Sequence, residues 1–233
     1  MLVSAKMIYK QVPPIGGYAR WFDASSTANV LLTGTTVEQW NDLSTNHAHA
    51  TPQSDAYDHR PSYASNAING MGAIHFLGGQ NVVDSNNKNL LFTADASIRT
   101  TFSVFKGASF LLTSSATYYD FHRYGAGDTD ATKPLWNSSS GWTSLNIRNG
   151  TTRVNGADVD GTTYNMPTAS NDGFNLVTVL TTGNVRANGF NRDRTFHSGD
   201  QHQAEVIIYD TALTGSEILA VEEYLNAKWG LGL

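Results

Sequence analysis

The sequence predicts an all-β protein: a two-sheet antiparallel sandwich with one α-helix, at its C-terminus. Three observations predict it. Short apolar runs, alternating or continuous, recur along the chain with turn-forming residues about every eight to twelve positions. Turn chemistry is abundant, with 21 glycines among 233 residues and many Ser, Thr and Asn, each suited to tight connections. A single segment, 214–229, carries a full helix signature. There Thr214 stands three residues before Glu217, the spacing of a capping box. Ile218, Val221, Leu225 and Trp229 share one helical face. Lys228 occupies the last turn, where the helix dipole favours a cation, and Gly230 is placed to end the helix.

Composition narrows the function classes. The chain is 40% hydrophobic and only 15% charged, enough for one sizeable core. A net charge of −5 without any Lys/Arg cluster predicts no nucleic-acid partner. With no cysteine, a disulfide framework and a cysteine zinc site are both excluded. The N-terminal segment lacks the apolar run of a signal peptide, and no stretch has the length of a membrane span. The expectation is a chain that folds in the cell that makes it, with export by a non-standard route as the alternative.

Residues 1–17 read as an N-terminal arm or edge strand, since Leu2, Val3, Met7, Ile8 and Tyr9 precede Pro13, Pro14, Gly16 and Gly17. The domain proper spans residues 18–233. Its first strand alternates Tyr18, Arg20 and Phe22 against Ala19, Trp21 and Asp23. Val37–Asp42 gives a second strand with Trp40 inward, and a long polar stretch runs from Ser44 to Ser65. Further strands are expected over Gly70–Leu77, Thr100–Lys106, Phe110–Leu112 and Thr117–Tyr124. Trp142–Arg148 is expected to pair with Thr151–Val154 across Asn149-Gly150, a strong hairpin dipeptide. Asn155-Gly156 marks another turn. Phe174–Thr182, Arg186–Phe190 and Ala204–Tyr209 complete a set of about a dozen short strands. No internal repeat or linker interrupts them, so one domain is expected.

Five segments together resemble a known family: ARWFDASS, VEQWNDLSTNHAHATP, RPSYASNAINGMGAIHFLGG, TTFSVFKG and GDQHQAEVIIYDTALTGSEILAVEEYLNAKWGL. Their order is similar to that of the concanavalin A-like, laminin-G-like jelly-roll domain of bacterial surface and bacteriophage virion proteins. Two positions depart from the pattern, Thr45 where a Gly is usual and Leu77 where Asp or Asn is usual. The resemblance covers residues 18–233. It implies a jelly-roll sandwich of the concanavalin A-like type, a fold that also hosts glycosidases and lyases, and a calcium ion at a loop rim.

A retaining glycosidase needs two carboxylates about 5 Å apart. Glu205 has Ile207 and Tyr209 at the same-face positions of its strand, and Asp158 and Asp160 fall in a predicted turn. Catalysis is therefore not expected. His47 and His49 near Asp42, His59 near Asp58, and His197 and His202 around Asp200 match no metal spacing and read as solvated loop histidines. The oxygen-rich loops Asp84, Asn86, Asn87 and Asp128, Asp130 are the candidate calcium ligands, although Asp and Asn are also ordinary turn formers. Among loop aromatics, Trp136, Trp142 and Tyr164 with Asn137 could form a sugar platform, but such residues are more often core or interface anchors, and that reading is preferred.

The leading expectation is a non-catalytic adhesion or assembly module, in the setting of a bacteriophage virion protein on capsid, head fibre or tail. It would be made in the host cytoplasm and act at the virion surface. Its arm, residues 1–17, would contact other virion proteins or copies of itself. The alternative is a lectin-like protein of cell-surface glycans using calcium. A third reading is a polysaccharide hydrolase or lyase. No cofactor other than calcium is expected.

Overall fold

The computed structural model describes residues 12–54, 56–77, 88–107, 112–113, 120–121, 134–138, 143–165, 173–192 and 200–233. Ten strands appear among them: β1 (Arg20–Asp23), β2 (Val30–Thr33), β3 (Thr36–Trp40), β4 (Ser62–Ile68), β5 (Met71–Phe76), β6 (Leu90–Gly107), β7 (Thr151–Val154), β8 (Ala157–Val159), β9 (Asn175–Phe190) and β10 (Gln201–Tyr209). A four-residue helix, α1 (Leu145–Arg148), precedes β7, and α2 (Gly215–Trp229) ends the chain. Every strand pairing is antiparallel, in the order β2-β3-β4-β5-β10-β6-β9-β7-β8. The protein is thus mainly antiparallel β-sheet with a C-terminal helix, an arrangement consistent with an all-β sandwich.

β10 is the hub. One of its edges is shared along its length: β5 pairs with Gln201–Gln203, and β1 pairs with Glu205–Ile208. Its other edge pairs with β6, with a register shift between Gln203 and Glu205. The two longest strands, β6 and β9, pair twice. Thr100–Phe105 lies against Asn175–Leu180, and Leu90–Ile98 lies against Val185–Phe190, with register shifts between. Such irregularities bend a strand and increase its twist, so this one pair serves two parts of the sheet. They replace several of the short strands expected from sequence, because local patterning cannot tell a bend from an end.

The strand alternation divides the apolar residues into two clusters. Phe22, Trp40, Phe76, Phe105, Phe190, Val206 and Ile208 belong to the first. Trp21, Phe102, Val104, Ile207 and Tyr209 belong to the second, and α2 packs there with Ile218, Val221, Leu225 and Trp229. The expected helix stripe is therefore buried on the sheet. Each such side chain contributes about 1.5–3 kcal/mol by leaving water. The capping box is present at Thr214 and Glu217, and Gly230 ends the helix at φ 63° in the left-handed region.

One turn assignment is corrected, and the turn expected at Asn155-Gly156 is found. Asn149-Gly150 does not turn a hairpin: Leu145–Arg148 is helical, capped by the Ser144 side chain, and Asn149 is in the right-handed helical region at φ −94°. The predicted strand Trp142–Arg148 is thus overturned at its described end, and a second, short helix joins the one expected. The hairpin falls instead at Asn155-Gly156, where φ values of 51° and 79° suit a type I′ turn between β7 and β8. Asn69-Gly70, at 49° and 81°, makes the equivalent turn between β4 and β5. β4 itself begins inside the stretch expected to be polar loop. Of the arm, residues 12–17 are described. They dock on their own domain, with the Tyr209 hydroxyl donating to the Ile15 carbonyl at 2.8 Å.

Candidate functional site

Among the described residues, a buried cluster of charge lies under α2. Asp23 and Glu205 are directly opposite one another across the β1–β10 ladder. Like charges at opposed positions destabilise a sheet, and here the last turn of α2 supplies the remedy. Lys228 Nζ sits 2.8 Å from Asp23 Oδ2 and 2.7 Å from Glu205 Oε2. The three side chains are 7%, 0% and 11% exposed for Asp23, Glu205 and Lys228.

The surroundings account for both oxygens of Glu205. Oε1 accepts from Trp21 Nε1 at 2.8 Å and from the Tyr224 hydroxyl at 3.0 Å. Oε2 accepts from Trp229 Nε1 at 2.7 Å as well as from Lys228. Lys228 also donates to the Tyr224 hydroxyl at 3.2 Å, and its ammonium lies 5.3 Å from the Trp229 ring centroid, within cation–π range. Asp23 Oδ1 accepts from the Ser25 backbone N–H at 2.8 Å. Burial, with the facing Asp23 adding to it, raises the Glu205 carboxyl above its ordinary value despite Lys228. Burial, together with the nearby carboxylates, also raises the Tyr224 phenol. A second anchor ties α2 down nearby: Arg153 Nε meets Glu222 Oε1 at 2.9 Å, and Thr178 donates to the same oxygen at 2.8 Å.

A second, more exposed cluster occupies the other end of β10. His75 and His202 are cross-strand partners, and their rings stack at 4.2 Å and 8°. His75 Nε2 contacts Asp200 Oδ1 at 2.7 Å. Phe174 meets His202 edge-on at 6.3 Å. Burial, with His75 beside it, brings the His202 imidazole down to about 4. The hydrogen bond from His75 lowers the Asp200 carboxyl. Phe174 also borders an open cleft of about 270 Å³, together with Ile68, Asn69 and Leu231.

The residues singled out from sequence fare differently. Trp136 is 1% exposed and donates from Nε1 to Thr152 Oγ1 at 2.8 Å, with Gly161 close against its ring. Asn137 is also buried. Both are core residues, and neither offers the exposed surface that a sugar platform requires. Tyr164 is partly buried and packs beside that core. Trp142 and the candidate calcium ligands Asp84, Asn86, Asn87, Asp128 and Asp130 lie outside the described residues. Among the described residues, no group of three or more His, Asp or Glu side chains is arranged to hold a metal ion.

The histidines are not uniformly solvated loop residues. His59 is 1% exposed, His49 Nδ1 accepts from the Asp42 N–H at 3.0 Å, and His202 stands on a strand. Comparison of the chain with family models, with curated proteins and with solved structures finds no match.

Sequence reasoning missed the Asp23–Glu205–Lys228 constellation. It sought a second carboxylate for Glu205 on the same strand, whereas the partner stands on β1. A signal was present at Glu205, a charged residue inside the apolar run Ala204–Tyr209, because buried charges require partners.

Proposed function

We propose that the chain is a non-catalytic adhesion or assembly module built on a concanavalin A-like, laminin-G-like jelly roll. The observation that supports the non-catalytic part of this reading is the sealing of the Asp23–Glu205–Lys228 constellation; adhesion or assembly and the jelly roll rest on the resemblance. Asp23 and Glu205 both lie within 2.8 Å of one ammonium, so they approach each other as closely as the two carboxyls of a retaining glycosidase. At 7% and 0% exposure, however, they face no space that admits a sugar. Their oxygens are taken up by Trp21, Trp229, Tyr224, Lys228 and the Ser25 N–H. This is an arrangement for holding the helix to the sheet.

On the resemblance alone, the setting we propose is a virion surface, with the N-terminal arm as the contact to a neighbouring subunit. The purified chain should release neither reducing ends nor unsaturated products from a polysaccharide panel, and should co-sediment with particles that lack it. Sustained product release would overturn the non-catalytic reading. A chain that stays free in the presence of particles would overturn the virion setting.

The open cleft beside Phe174 favours a second reading, a lectin-like protein of surface glycans; its calcium at a loop rim rests on the resemblance alone. A glycan array with and without chelator separates the two. Calcium-dependent binding lost in Trp142→Ala would support the lectin, and an array silent in both conditions would remove it.

A further inference from the structure

We propose that Lys228 and Asp23 are joined by an amide bond that the folded protein forms on its own, with Glu205 relaying the proton. The nucleophile, the acyl carbon and the relay already stand together. Lys228 Nζ is 2.8 Å from Asp23 Oδ2, so the carboxyl carbon lies one bond beyond a contact that is already made. Reacting groups held in this way need no further loss of translational freedom, the main advantage of an intramolecular reaction.

The reaction starts from the neutral pair, reached by moving one proton from ammonium to carboxylate, a transfer that leaves the total charge of the cluster unchanged. One backbone donor faces the acyl oxygen. Asp23 Oδ1 accepts the Ser25 backbone N–H at 2.8 Å, a donor aimed at the oxygen on which negative charge develops. Oδ2, on the side of Lys228, is the oxygen that departs. Glu205 Oε2 is 2.7 Å from Nζ, within reach of the proton that the attacking nitrogen sheds; Nζ, in contact with both carboxylates, is the bridge by which that proton reaches Oδ2. The raised carboxyl pKa of Glu205 suits it to carry that proton.

The step balances. The Nζ lone pair forms a bond to Asp23 Cγ, and the Cγ–Oδ2 bond breaks. The two protons lost by the neutral amine and acid leave with Oδ2 as one water. Glu205 ends in the state in which it began, and no oxidant or cofactor is consumed. The product ties β1 to the last turn of α2 across 205 residues of chain, so the segment that covers the sheet cannot leave it.

The test is the intact mass of the full-length chain after folding, followed by tandem mass spectrometry of a digest. The expected result is a species lighter by one water, with a peptide carrying Asp23 joined to one carrying Lys228. Lys228→Arg should run at its full sequence mass. Asp23→Asn should lose ammonia in place of water, a signature that a merely structural role would not produce. Glu205→Gln should form the bond at least tenfold more slowly. Wild-type chain that is folded by circular dichroism yet stays at full mass on prolonged incubation would overturn the proposal, as would a water loss mapped elsewhere. Unchanged kinetics in a folded Glu205→Gln variant would overturn the relay.

Discussion

Glu205 and His202 stand on the same strand, β10, on either side of the register shift between Gln203 and Glu205. They have opposite fates. Glu205 lies under α2, fully buried, opposed by Asp23 and clamped by Lys228, Trp21, Trp229 and Tyr224. His202 stacks on His75 beside an Asp200 whose side chain is 62% exposed. The helix decides the difference. Where it covers the strand, charge must be matched atom by atom, because an unpaired buried ion is costly. Where it does not, the same strand tolerates titratable groups whose partners water can replace.

The comparison is broken most severely by Glu205→Ala. It removes the acceptor of two indole N–H groups and leaves Lys228 facing Asp23 alone. Each buried donor left without its acceptor costs about 1–3 kcal/mol, so the expected loss is about 3–5 kcal/mol in chemical denaturation. A loss below 1 kcal/mol would mean the network contributes little.

The two clusters should also give opposite pH slopes. His202 is held at about 4 in the folded chain against 6.5 unfolded, so its contribution is complete above 6.5 and is lost as pH falls toward 4. After allowance for solvent screening this is worth on the order of 1–2 kcal/mol. Glu205 is raised from 4.5, so its contribution is complete below 4.5 and is lost as pH rises through the folded value. His202→Phe should flatten the first slope and Glu205→Gln the second, read as denaturation midpoints from pH 4 to 8. Thr214→Ala removes the α2 cap at a cost of about 1 kcal/mol. It should speed amide exchange in the helix while leaving the pH slope of His202 intact. Asp200→Asn, at an exposed pair, should cost no more than about 1 kcal/mol. Its effect should diminish further in high salt, unlike that of Glu205→Ala.

The turns show where local reading stops. Asn149-Gly150, Asn155-Gly156 and Asn69-Gly70 carry the same dipeptide, and the last two make type I′-like hairpins. The first does not, because Gly150 is pressed against the Leu180 carbonyl of β9 and Asn149 closes a helical turn. The dipeptide permits a hairpin; the neighbouring strand vetoes it. Trp136 teaches a related lesson. A Trp-Asn pair beside turn residues suits either a platform or a core position. Its burial is settled by Thr152 and Gly161, which come from later in the chain.

By itself the sequence determined the features with short-range physics. The capped C-terminal helix, its apolar stripe, the strands β1, β3, β5 and β10, and the predominance of antiparallel sheet all follow from periodicity, caps and turn residues within a few positions of one another. Only the tertiary structure decided which charges meet. Asp23, Glu205 and Lys228 are brought together by a ladder register and a helix docking, and neither leaves a trace in local spacing. Side-chain alternation states which face a residue takes; it cannot state who waits on the other side.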